Sequence, residues 1–185
     1  MSARLPLTGL LFVQLLIGYE WFMSGLTKTV RGDFSSGLAD ELTEKSEGIG
    51  GWYGSFLDGT VIPNASAFGY MIEIGELVIG VALVAAGLLW LLRWERLTSA
   101  GRRAVLIATM LAALGGIFMN VNFHLANASA HPWLVPGDGF DEGVDLDSLM
   151  PALQLVLIGV SVGLLRAVRR ERSAARPATG ELATD

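Results

Sequence analysis

The sequence predicts an all-α, polytopic membrane protein: a four-helix bundle with both termini inside and a long outer loop carrying a short interfacial helix. Three observations predict it. Of the 185 residues, 52% are hydrophobic and only 17% are charged, against about a quarter charged in a typical soluble domain. The apolar residues fall in four long blocks. The basic residues gather in three places, all on one side of a chain that crosses four times. This composition excludes a disordered chain, a collagen-like repeat and an ordinary soluble enzyme. There is no cysteine, which excludes a disulfide framework, thiolate metal or iron–sulfur ligation and a thiol relay.

The four blocks are about 5–27, 67–92, 104–127 and 148–168. Each has the roughly 20 residues a helix needs to cross about 30 Å of hydrocarbon. Helices are expected because a spanning segment must satisfy its own backbone hydrogen bonds. The first block has the arginine and apolar run of a signal peptide. Gly18-Tyr19-Glu20-Trp21 stands where small cleavage-site residues belong, so it reads as a retained span. Residues 1–172 form a single four-span domain, and the polar tail 173–185 is expected to be a disordered cytoplasmic segment.

Orientation follows from charge. Ten of the 13 Lys and Arg lie at Arg4, at Arg93, Arg96, Arg102 and Arg103, and from Arg166 to Arg176; the other side has Lys28, Arg31 and Lys45. Lys and Arg stay cytoplasmic, so both termini are expected inside. No nucleic-acid motif accompanies the basic bands, which read as topology signals and lipid contacts. The outer loops, 28–66 and 128–147, are acidic. In the first, Phe34, Leu38 and Leu42 recur at helical spacing. They predict an amphipathic helix that either anchors on the outer leaflet or covers a site as a lid. Gly50 to Phe56 mixes glycine and aromatics like an interfacial turn. The acids of the second loop do not have EF-hand spacing.

Ionisable groups inside spans are costly and point to function. Glu20, Glu73 and Glu76 lie in apolar sequence, and at 1.5 Å per residue they reach one depth with Asn120, His124 and Gln154. The stripes Gly69-Glu73-Glu76-Gly80-Gly87, Thr109-Ala113-Gly116-Asn120-His124-Asn127 and Glu20-Ser24-Lys28 should face the bundle interior. Together they predict an off-centre polar pocket in the outer half. The carboxylates would do proton chemistry, and Asn120, His124, Gln154 and Lys28 would bind a ligand. In the alternative reading the carboxyls only fix helix register and Lys28 snorkels outward. Two carboxylates and a histidine could hold a metal, but no Glu-x-x-His pair occurs and none is assigned. Neither a haem, a flavin nor an iron–sulfur site is evident.

Gly18 to Lys28 (GYEWFMSGLTK) resembles the G-x(6)-G-x-x-K end of the first helix in the DoxX/DoxD family. Glu73 to Gly80 followed by Gly87 is similar to that family's second helix, with Glu76 on the family glutamate, and Met119 to Ala126 resembles the M-N-x-N-(F/Y)-x-L-A segment of its quinone-linked members. The resemblance spans about residues 5–168. It implies a four-helix protein of the bacterial cell (inner) membrane, and for the DoxD branch the membrane subunit of thiosulfate:quinone oxidoreductase, which oxidises thiosulfate to tetrathionate and reduces a quinone. This chain differs in its long acidic first loop and in Glu20 and Glu73. Three functions stay open: a quinone-linked redox subunit fed by a substrate or a partner oxidoreductase subunit, a non-catalytic scaffold or assembly partner of a redox complex, alone or as a homo-oligomer, and a small transporter or proton pathway.

Overall fold

The computed structural model describes residues 4–127 and 146–174, and every regular element among them is helical. In chain order these are α1 (Arg4–Arg31), α2 (Phe34–Ser46), α3 (Gly51–Phe56), α4 (Ala65–Arg93), α5 (Ser99–Ala126) and α6 (Leu146–Ala174). Helices α1, α4, α5 and α6 are long and apolar enough to cross a bilayer, which makes this a multi-pass membrane protein. Most of the loop expected at 128–147, with His131 and its acids, and the tail beyond Ala174 lie outside the described residues.

The packing order is α1 on α4, α4 on α5 and α5 on α6, while α1 and α6 meet only sparingly. The shared core is Ile17 and Trp21 from α1, Ile79 and Leu83 from α4, Ala112 from α5, and Met150 and Leu157 from α6. The opposite faces are exposed and apolar, with Phe12, Leu16, Val78, Val81, Leu111, Phe118 and Leu155 turned outward. Lipid is as apolar as leucine, so such an outer face is what a bilayer accepts. Helices α4 and α5 are antiparallel neighbours because one turn (Trp94–Arg96) joins them. Thr98 caps α5 by accepting from the Gly101 N–H at 3.1 Å. Arg102 Nε donates to the Trp94 carbonyl at 3.1 Å, and its guanidinium lies over the Trp94 ring.

The α1–α4 connection departs from the expected loop. Only 32–33 and 47–50 break it; otherwise it is helical as far as α4. Gly32, with φ +71°, ends α1 and turns the chain back into α2. Gly50 to Phe56, expected as a turn, is mostly the short helix α3, entered through Gly51 at φ +73°. It runs into a π-helical turn at Leu57–Val61 and a 3-10 turn at Ile62–Asn64. The apolar face of α2 is not spent on lipid. Leu38 and Leu42 are buried with Tyr53, Leu57, Val61 and Ala65, against Phe68 and Ile72 of α4 and Leu125 of α5. Ser35 sits so close to Gly69 that a Cβ there would lie 2.6 Å from the Ser35 Cα. The segment is thus a folded cap on one end of the bundle. Tyr53 Oη donates to the Asn122 carbonyl at 3.0 Å, and Lys45 Nζ to Asn127 Oδ1 at 2.9 Å.

Candidate functional site

Three glycines let α1 and α4 approach. A Cβ on Gly18 would be 2.9 Å from Leu83, one on Gly25 would be 2.7 Å from the Leu77 nitrogen, and one on Gly80 would collide with the Phe22 backbone. That contact sets Lys28 opposite Glu76. The Lys28 ammonium donates to both Glu76 carboxylate oxygens, at 2.8 and 2.7 Å, and to Ser24 Oγ at 2.7 Å. Its three N–H donors are thereby used, and it also stands 5.3 Å from the centre of the Phe34 ring of α2. Glu76 is 1% exposed and Lys28 23%. Lys28 therefore does not snorkel away; it neutralises the buried carboxylate across the helix seam.

Glu73 is buried, but it is turned about 60° around α4 from Glu76. Its own carbonyl lies against Gly25 of α1, and its Oε1 has no hydrogen-bond partner. The two carboxyls therefore face different neighbours.

Glu20 requires a correction. The sequence placed it on the inner stripe of α1, yet it is exposed. The buried face of α1 is Leu11, Gln14, Ile17, Trp21 and Gly25, which leaves Glu20 on the flank with Leu16, Tyr19 and Met23. Two residues from Gly18 is 200° around a helix, so Glu20 lies on a side of α1 away from the Gly18 contact, with its charge still within Coulombic reach of Glu76.

The remaining residues lie on α5 and α6, which pack on each other. Asn120, His124 and Gln154 are all at least 95% buried. The Gln154 amide packs directly on Gly116, where a Cβ would collide with it, and Asn120 is one turn along α5 from Gly116. Gln154 stands in sequence between Met150 and Leu157 on the buried face of α6, and those two residues belong to the apolar cluster that also holds Trp21. The Trp21 ring centre is 6.5 Å from that of Phe123. Trp21 Nε1, Asn120 Nδ2 and both polar atoms of Gln154 lack hydrogen-bond partners. His124 is engaged within the protein. Asn122 faces the cap, where it meets Tyr53. Among the described residues no three His, Asp or Glu side chains come together in a metal-binding group.

Reading charge alone missed Gln14 and Trp21. Gln14 Nε2 donates to the Leu83 carbonyl at 3.0 Å and lies 3.4 Å from Thr109 Oγ1, tying α1 to α4 and α5. The available signal was the glycine pair Gly18 and Gly25, seven residues apart, whose face carries Gln14 and Trp21 as well.

Comparison of the chain with protein-family models, with curated proteins and with solved structures finds no match.

Proposed function

We propose that this protein is a DoxX/DoxD-like membrane subunit of a quinone-linked oxidoreductase, with the quinone headgroup held between α1, α5 and α6. One observation carries the reading: three buried N–H donors, from Trp21, Asn120 and Gln154, have no hydrogen-bond partner. An unmet buried donor costs about 1–3 kcal/mol. Such a group is retained for a ligand rather than for packing. A quinone presents two carbonyl acceptors on a flat apolar ring, and its reduction to the quinol takes two electrons and two protons. Met150, Leu157 and Phe123 supply apolar walls for a ring of that kind. Glu76, with Lys28 on its carboxylate, and Glu73, one turn towards the cap, are the buried acids that would exchange protons.

The electrons come from a reduced substrate or a partner protein, because the chain has no cysteine and no nucleotide motif. The resemblance makes thiosulfate the first donor to try. Against the scaffold reading stands the same set of unmet donors, since helix association alone would leave none.

Purified protein titrated with decylubiquinone, followed by tryptophan fluorescence, tests the site. Gln154→Met removes an unpaired amide with little change in volume, so stability should hold or rise slightly. Quinone affinity should fall at least tenfold. Equal affinity in Gln154→Met and Asn120→Leu would dismiss the site.

The basic asymmetry supports an orientation with both termini and the Arg93–Arg103 turn in the cytoplasm and the α2–α3 cap outside. A single cysteine at Ser46 should then react with an impermeant reagent added outside intact cells, and one at Ser99 should not. Labelling at Ser99 alone would reverse the orientation.

A further inference from the structure

The exposed flank of α1 presents a carboxylate where the bilayer gives it no partner. Glu20 lies 13 residues from Leu7 and 11 from Arg31, the ends of an apolar helix long enough to span. At 1.5 Å per residue it is about 16 Å from the nearer end. Its neighbours on this face are outward-facing hydrophobic residues: Leu16 is 68% exposed, Tyr19 58%, and Met23 36%. Among the described residues Glu20 has no ion-pair partner, and the nearby outer-side lysines are committed, Lys28 to Glu76 and Lys45 to Glu41. Intramembrane charges normally face a bundle interior or pair with one another.

We propose that this flank of α1 docks a transmembrane helix of another protein, one carrying an arginine or lysine at the depth of Glu20. Charge complementarity selects the occupant. A second copy docked through the same face about a twofold axis would set Glu20 against Glu20. It would bring no free cation at that depth, since the other described basic residues lie at the helix ends or in the connections between helices. A lipid headgroup carries its cation at the interface, too far along the helix to reach. An arginine on a neighbouring helix reaches a carboxylate and binds it with two hydrogen bonds. Leu16, Tyr19 and Met23 around it supply the packing on which helix association in lipid depends. The docking face is on the outside of α1 and holds independently of quinone binding in the core, so either can fail alone.

The test uses the full chain, donor-labelled, in phosphatidylcholine vesicles. The probe is a synthetic polyleucine spanning helix with one arginine at the matching depth and an acceptor dye; its control has leucine there. Energy transfer to the arginine helix should show at least tenfold tighter association than to the leucine helix. Glu20→Gln, checked for unchanged helicity, should abolish the difference. Equal association of the two helices, or a preference that survives Glu20→Gln, overturns the proposal. Self-association of the protein that depends on Glu20, with no preference for the arginine helix, overturns it in favour of a second copy.

Discussion

Lys28→Met should destabilise the protein by about 3 kcal/mol, and adding Glu76→Met to it should restore most of the loss. The single change removes the ammonium that donates to both oxygens of a carboxylate only 1% exposed. Glu76 is then left buried in a helix seam without its cation, with the Ser24 hydroxyl still beside it. The double change removes both charges, and two methionines fill similar volume with apolar atoms. An exposed ion pair would behave differently, with both variants within about 1 kcal/mol of the parent. Unfolding by a graded denaturing detergent, followed by helicity, gives the comparison. A silent Lys28→Met, or a double variant as weak as the single one, would show that the pair does not hold α1 to α4. Phe34 adds a second consequence. Its ring lies 5.3 Å from the same ammonium, so losing Lys28 should also loosen the start of the cap.

The parts of this arrangement differ in how far sequence exposes them. Four apolar blocks are visible because a bilayer demands length, and length is written in the chain. The inner stripes of α4 and α5 are visible because polar and small residues recur at three- and four-residue spacing. Glu73, Glu76, Gly80, Gly116, Asn120 and His124 are all buried as that spacing implies. Helix α1 defeats the same rule. Both its lipid face and its protein face are apolar, so the polar stripe Glu20-Ser24-Lys28 drew the reading; Ser24 and Lys28 do reach the seam, but Glu20 is exposed. The glycines Gly18 and Gly25 mark the true contact, because only close backbone approach requires them. The partnership of Lys28 with Glu76 joins residues 48 positions apart and has no local signature. The cap shows a further limit. Spacing of Phe34, Leu38 and Leu42 says that one face of α2 wants an apolar environment. It cannot say whether lipid or Tyr53 and Leu57 provide it.

Gly80→Ala should be the most damaging single methyl at the α1–α4 contact. Alanine is the better helix former by about 1 kcal/mol, so in a free helix the change would stabilise. At position 80 the added Cβ collides with the nitrogen and Cα of Phe22. These are backbone atoms, and no rotamer can move them. The helices must separate, and Lys28 and Glu76 are then pulled beyond their 2.7 Å contact. Overpacking costs about 1–3 kcal/mol even where side chains can yield, so the clash outweighs the propensity gain. Gly25→Ala, which meets the Leu77 nitrogen and the Glu73 carbonyl at 2.7 and 3.0 Å, should act in the same direction. At Gly75 the nearest atom is the sulfur of Met119 at 3.3 Å, the flexible end of a side chain, so Gly75→Ala should be mild. Gly9, Gly159 and Gly163 have nothing within 4 Å, and alanine there should be neutral or slightly stabilising. Thermal unfolding of the six variants in one detergent ranks them directly. Equal stability of Gly80→Ala and Gly159→Ala would mean that α1 and α4 are not held at the backbone contact on which the Lys28–Glu76 pair depends.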